Sequence, residues 1–317
     1  MPPKKGLILE SLLSFSVSQA LLEDGLDIIM NKTPFSCKYA AQEVGYSILY
    51  KNPTDVKPFP LLKSNTGNAT LYNICPATHC RSFIVAKTDD RFIVSKGNGL
   101  SYTEWTFLNT GEFGDDTLGL LLKKDALRDF HIGNEIASIG IRTNRMEYVL
   151  ELNTKVTLPN GNTLKPILLQ YDVACPYRIA DARFMTEEMI KSEVDKWETA
   201  NIKHHDKKHM VAAEILVNNL RILHNHGILH NAIHSGNYTW ALELLDFELS
   251  HTPSYPYEQD DYKRHVPSLM PREILQTYNV IVEIAAILKE DINYKDLDAL
   301  FAKNNYSLAK FKVKEFI

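Results

Sequence analysis

Asn237 and Asp246 stand nine residues apart, with the apolar run 240–245 between them. An amide oxygen and a carboxylate are hard donors of the kind that hold Mg2+. The segment 237–248 reads as a short β-hairpin, which would bring the two donors to neighbouring strand ends. Singly, Asn237 also reads as a turn residue after Gly236, and Asp246 as a strand-end acid. The pair at this spacing is the more specific signal.

Such a pair suits chemistry on a triphosphate, where catalysis rests on positioning and on neutralising charge. A phosphate-holding cation is then expected on a strand ahead of a helix. Lys96 ends such a strand and is followed by Gly97 and Gly99, beside which a backbone could approach a phosphate closely. Lys96 also reads as a solvated strand-end lysine. Its expected partner is Glu135, near the end of a helical segment where a negative charge is mildly unfavourable unless paired. An Asn before a β-ribbon and an Asp-Phe pair after it are how protein kinases carry their metal ligands. His230 then matches the histidine that opens a kinase catalytic loop, and Ala232 falls where the catalytic base belongs. Alanine has no proton to exchange, so base catalysis from that position is excluded. His234 faces the expected terminal phosphate and could act as acid, base or phosphate ligand, or be a turn histidine.

The elements that must place these residues are legible in part. The runs 82–87 and 91–96 read as two strands joined at 88–90. Residues 118–139 carry helical apolar spacing. The runs 146–153 and 164–173 flank the turn signal 158–162. Residues 186–199, 207–226 and 272–289 read as helices, and 50–80 as loop with one short strand. A β-rich part with one helix, followed by a helical part, predicts an α+β, two-lobed protein-kinase-like fold. The expected organisation is an N-terminal helical extension over 1–50, an N-lobe over 51–175 and a C-lobe over 176–317, with a hinge near 174–181. Nucleotides commonly bind in such inter-lobe clefts.

Bulk properties narrow the partners. The net charge of −4 gives no electrostatic reason to expect nucleic acid or an anionic membrane. No stretch approaches the ~20 apolar residues needed to span a bilayer. Four cysteines suit a reducing, cytoplasmic compartment. Two lysines precede an apolar run at the N-terminus, but Glu10 interrupts it and the pattern continues as an amphipathic helix over 7–30, unlike a secretion signal. His226, His230 and His234 have the spacing of ligands on one helix face, yet Gly227 and Ser235-Gly236 break any such helix, which argues against zinc. Cys75 and Cys80 lack the spacing of a zinc knuckle.

With these residues placed, the chain resembles the selenoprotein O family, the bacterial YdiU-like pseudokinases. His230 to Glu248 lines up without a gap on that family's His-Gly-Val-Leu-Asn-Thr-Asp-Asn segment and its later Asp-Tyr-Gly. Ser95-Lys-Gly-Asn-Gly-Leu-Ser-Tyr102 resembles its Leu-Lys-Gly-x-Gly-Arg-Thr-Pro-Tyr-Ser, and Leu127-Arg-Asp-Phe130 its Leu-Arg-Glu-Tyr helix. The resemblance implies ATP and Mg2+ as cofactors, Lys96 as the nucleotide lysine, and a phosphate contact from Arg178, where the family's post-hinge arginine falls. It also implies transfer of AMP from reversed ATP to a hydroxyl of a protein acceptor. The chain departs from the pattern at Gly236, where the family has Asp before its metal-binding Asn. It departs again at Asn134, on which the family's helix Glu falls. The Gly-Asp-Gly-Arg segment has only Asp115 and Asp116 nearby, and no Cys follows Cys175. Two other readings stay open. Ala232 with Gly236 suits a pseudokinase acting as an interaction module. His234-Ser-Gly-Asn237 and Asp246-Phe-Glu248 resemble the aminoglycoside-phosphotransferase-like enzymes, which act on small molecules.

Overall fold

The computed structural model describes residues 38–63, 70–73, 75–76, 81–88, 90–99, 119–158, 161–198, 205–256 and 260–306. The helix expected over 7–30, together with Cys37, Cys80, Asp115 and Asp116, lies outside the described residues. The chain divides into two compact units. One comprises Met1–Phe130, Arg145–Pro176 and Phe184–Thr186, the other His131–Asn144, Tyr177–Arg183 and Glu187–Ile317.

The first unit is built on a six-stranded antiparallel sheet. Its strands are β2 (Tyr46–Lys51), β5 (Cys75–Pro76), β6 (Ser82–Lys87), β7 (Phe92–Lys96), β8 (Arg145–Leu152) and β11 (Ile167–Val173), in the order β2-β8-β11-β7-β6-β5. A small sheet of β1 (Lys38–Glu43), β3 (Leu61–Lys63) and β4 (Thr70–Asn73) accompanies it. So does a two-residue ribbon of β9 (Val156–Thr157) and β10 (Thr163–Leu164) at the expected turn. Side chains alternate across a strand, so register decides which residues share a face. Leu169 pairs with both Lys96 and Val149, and Val94 pairs with Ile84, which places Lys96 on a largely apolar face. Helix α1 (Lys123–Ser138) crosses this face: Lys123 meets Glu151 at 3.4 Å and Asp129 meets Lys96 at 2.8 Å. On the other face Leu150, Leu152 and Leu168 pack with Leu62, Leu120 and Tyr148.

The second unit is helical. It holds α2 (Glu187–Val194), α3 (Lys208–Asn225), α4 (Asp260–Ile287) and α5 (Tyr294–Lys303). Helix α3 packs on α4 and α5. Glu273, Ile274, Thr277, Val280, Ile281, Ile284 and Ala285 form a buried stripe at helical spacing along α4. Trp197 stacks on Trp240 with ring centroids 6.0 Å apart, and its Nε1 donates to Trp240 O at 2.6 Å. A sheet-forming first part with a helix between β7 and β8, followed by a helical second part, gives a mixed α/β fold of kinase-like type. No helix among the described residues is long and apolar enough to cross a membrane.

Several elements differ from expectation. Residues 38–51 form strands rather than the end of a helical extension. Helix α4 starts at Asp260, twelve residues before the expected start, because Pro267 and Pro271 interrupt the apolar pattern that marks a helix. The 237–248 hairpin contracts to one bridge, Tyr238 with Leu244, closed by Thr239 N to Glu243 O at 3.0 Å and Leu245 N to Asn237 O at 2.9 Å. Helix α5 was not foreseen.

Gly97 is a sharp constraint. It has φ +97°, and a Cβ there would lie 2.4 Å from Ile167 O and 2.8 Å from Leu121 Cβ. Gly97→Ala is expected to cost at least about 1–3 kcal/mol from backbone strain alone, read as a lower urea midpoint at unchanged m-value.

Candidate functional site

Lys96 is buried at the end of β7, with its Nζ 2.8 Å from Asp129 Oδ2 and both side chains 3% exposed. This corrects the expected Lys96–Glu135 pair. Asp129 follows Ala126 by three residues and precedes Phe130 and Ile136 on the core-facing stripe of α1, so it meets the lysine that the sheet presents. Glu135 lies six residues further on, about 9 Å along the helix axis. It instead accepts from Thr252 Oγ1 at 3.0 Å within the helical unit. The signal for Asp129 was an acid on an apolar stripe, since a buried charge must find a partner. The glycine expectation is also corrected. Gly97 N donates to Arg81 O at 2.9 Å, and the residue is walled in by Ile167 and Leu121, so it serves the sheet and offers no donor to a phosphate. Gly99, at φ +97°, is buried too.

The second cluster lies wholly in the helical unit, on the irregular loop after α3. His230 is fully buried. Its Nε2 lies 2.9 Å from Leu245 O, its Nδ1 accepts from Ala232 N at 3.2 Å, and its ring meets Phe247 edge-on at 5.5 Å. These contacts assign the neutral tautomer with the proton on Nε2. Burial pushes the imidazole below its ordinary value of 6.5. Glu273, buried on α4, accepts from Asn231 N and lies 2.9 Å from His224 Nε2. Glu273 thus ties the loop to two helices, a role that sequence reading missed, because nothing separates it from other helix-start acids. The segment after α1 binds the same loop from outside: Leu244 N donates to Arg142 O at 3.0 Å, and Thr143 Oγ1 donates to Leu244 O at 2.6 Å.

Within this frame Asn237 Nδ2 donates to Ala232 O at 3.0 Å, so position 232 holds the loop through its carbonyl while its side chain carries no acid. Asp246 follows Leu245, whose N–H is bonded to Asn237 O, and has φ +72°. That left-handed conformation is less costly for Asp than for most side chains, and Asn231 and Leu242 of the same loop share it. Carboxylate oxygens of Asp246 and Glu248 lie within 4.8 Å of each other. His234 Nδ1 accepts from Gly236 N at 3.0 Å. Burial, with the charge of Arg178 second, lowers its pKa. The neutral ring therefore carries its proton on Nε2, which makes His234 a donor suited to phosphate and narrows the acid, base or ligand alternatives.

Arg178 is held by two backbone bonds: its own N–H donates to Asp181 Oδ2 at 2.8 Å, and Ile179 N donates to Tyr238 O at 2.8 Å. Its Nη1 donates to Gly236 O and, at 3.1 Å, to Asn237 Oδ1. The oxygen expected to ligate metal, Asn237 Oδ1, is met in this structure by the Arg178 guanidinium. At about 4 Å, in an effective dielectric of about 20, a divalent ion and a guanidinium would repel by roughly 8 kcal/mol. Among the described residues of this unit, Asp246 and Glu248 bring carboxylate oxygens together, donors of a kind that suits Mg2+.

No protein-family model and no curated protein matches this chain. Among solved structures it is similar to a Toxoplasma gondii specific rhoptry antigen kinase domain, at 9% identity and TM-score 0.28, covering 53% of this chain and 49% of that one. It is similar to the Neurospora crassa PAN3 pseudokinase, at 12% identity and TM-score 0.31, covering 91% of this chain and 60% of that one. A third is the ROP18 kinase domain in complex with AMP-PNP and sucrose, at 12% and 0.31, covering 92% and 77%. The chain spans about half the length of the first and three fifths of the second. Likeness at these scores carries no argument; the fold assignment rests on strand order and helix placement.

Two outcomes check this geometry. Asp129→Ala strands a buried ammonium and is expected to cost about 3–5 kcal/mol in urea unfolding. Lys96→Met combined with Asp129→Leu should recover most of that loss, and an additive double mutant would contradict the pairing. Because the folded-state pKa of His230 is depressed, the unfolded chain binds the extra proton first. Stability should therefore fall as pH drops below about 6.5. Thermal melts of wild type and His230→Gln should converge toward acid pH.

Proposed function

We propose that the chain is an ATP- and Mg2+-dependent transferase of kinase-like fold that moves AMP onto a protein hydroxyl. The observation that carries this reading is the Asn237 Nδ2 to Ala232 O bond. That bond closes the loop on position 232, where a kinase base would stand and this chain has alanine. Transfer of the terminal phosphoryl group from an ordinary kinase arrangement uses a carboxylate at that place. An attack on the α-phosphorus has different geometry and does not draw on position 232. In that step the acceptor oxygen bonds to the α-phosphorus, the α–β phosphoanhydride bond breaks, and pyrophosphate leaves. The hydroxyl proton passes to solvent or to a phosphate oxygen.

Each residue then has a defined part. Asp246, with Glu248 beside it, would hold Mg2+, which when bound neutralises phosphate charge. In the helical unit Arg178 and the His234 Nε2–H would donate to phosphate, and in the sheet unit Lys96, paired with Asp129, has the phosphate role that the resemblance implies. The resemblance to the selenoprotein O family supports the same reaction through Lys96, Asn237 and Asp246. The family's helix acid falls on Asn134 in this chain, and Lys96 is paired with Asp129 instead.

A second reading is favoured by one contact. Arg178 on Asn237 Oδ1 removes a metal donor, which suits a pseudokinase that binds partners without turnover.

ATP labelled at the α-phosphate is expected to label an acceptor protein, while ATP labelled at the γ-phosphate is not. Asp246→Ala should cut α-label transfer by roughly a hundredfold. Transfer of the γ-label instead would assign kinase activity. No transfer of either label, with no thermal shift on adding ATP and Mg2+, would favour the interaction module.

A further inference from the structure

Arg178 has no counter-charge among the described residues. It is 8% exposed, its Nε is buried without a hydrogen-bond partner, and no described carboxylate pairs with its guanidinium. Asp181, the nearest acid in sequence, spends its Oδ2 on the backbone N–H of Arg178. Buried charges are normally paired, and a guanidinium satisfied on one edge by neutral oxygens keeps its full charge. Both oxygens that it meets, Gly236 O and Asn237 Oδ1, belong to the loop on which metal ligands were expected. Arg178 is anchored there by the bridge between its backbone and Thr239. A permanent cation thus sits on the oxygen that a divalent ion would use, with donor capacity to spare. Guanidinium also matches phosphate geometry with paired N–H groups.

We propose that Arg178 is a built-in substitute for the cation on the Asn237 side of the site, so that the chain binds the polyphosphate of a nucleotide without a divalent ion. The inference rests on the nucleotide reading above and sharpens it. Binding and cation dependence are separable, and only the Asp246 and Glu248 side calls for Mg2+, in the transfer step. The ligand class follows from the charge: an anion with several phosphoryl oxygens, able to accept from the Arg178 guanidinium and from the nearby His234 ring, whose pKa that guanidinium helps to lower.

Calorimetric titration of the full chain with ATP, in excess EDTA and in Mg2+, tests this. Wild type is expected to bind in EDTA within about threefold of its affinity in Mg2+, the guanidinium supplying the charge-assisted contact. Arg178→Met should lose at least about tenfold in EDTA and less in Mg2+, because Asn237 Oδ1 is then free for the ion. Since Arg178→Met removes hydrogen bonds from a buried loop, Asn237→Asp provides a second variant. It places a carboxylate on the guanidinium and gives up the Nδ2 bond to Ala232 O, so binding in EDTA should be abolished in a protein whose apo melting temperature, measured alongside, is lowered but still shows a cooperative fold. A wild-type protein that binds ATP only when Mg2+ is present overturns the proposal, as does binding in EDTA that Asn237→Asp leaves unchanged. Absence of binding in Mg2+ and EDTA alike overturns the nucleotide reading itself, and the proposal falls with it.

Discussion

A stretch of irregular backbone buried in a protein must have its main-chain groups answered, and the candidate site depends on how that is done here. Residues 230–246 form no ladder and no long helix, yet much of this loop is buried. Side chains supply the missing partners. His230 spans the loop from Ala232 N to Leu245 O, Asn237 takes the carbonyl of Ala232, and Glu273 reaches from α4 to the N–H of Asn231. Each contact fixes a different part of the loop, and together they hold Asp246 in a conformation that its backbone alone would avoid. The same logic explains why His230 must be neutral: its two nitrogens play opposite roles, one donating and one accepting.

The sheet unit solves a different problem. Lys96 projects from β7 onto an apolar face, where an unpaired ammonium would be costly. Helix α1 crosses that face and places Asp129 opposite it. This pairing was hidden in the sequence by a reasonable but incomplete argument. Glu135 was favoured because a negative charge near a helix end is slightly disfavoured unless used, an effect of well under 1 kcal/mol. The burial cost of an acid on the apolar stripe is several times larger, and it points to Asp129. The strands 82–87 and 92–96, the helix between β7 and β8, and the closeness of Asn237 to the residue before Asp246 were legible, because alternation and turn residues are local signals. The early start of α4, the small sheet with β1 and the contraction of the hairpin were not, since each depends on contacts between distant segments.

The guanidinium beside Asn237 belongs to the same class of hidden fact. Arg178 lies fifty-nine positions before Asn237, and backbone pairing between the segments around Arg178 and Thr239 brings it there. A donor that looks like a metal ligand in sequence is therefore met by a fixed positive charge in the fold. Resident charge and recruited charge differ physically. A guanidinium cannot leave, titrates only far above neutral pH, and presents directional donors, whereas Mg2+ arrives with water and is lost to chelators. A site that uses both can hold phosphate continuously and still need the ion for the step in which charge develops.

Position 232 shows why such a site can change its chemistry without losing its fold. In this loop the residue contributes two main-chain groups: its N–H to His230 and its carbonyl to Asn237. Neither depends on the side chain, so an alanine there leaves the hydrogen-bonded frame intact while deleting the proton acceptor that hydroxyl phosphorylation would draw on. The structural and chemical duties of the position are thus separable. A frame stabilised through its backbone imposes no penalty when the base is lost. Under the transferase reading proposed above, the fixed cation on this loop, Arg178, would help to decide which phosphorus a nucleophile could reach. Charge placement takes over the part that proton transfer plays in an ordinary kinase.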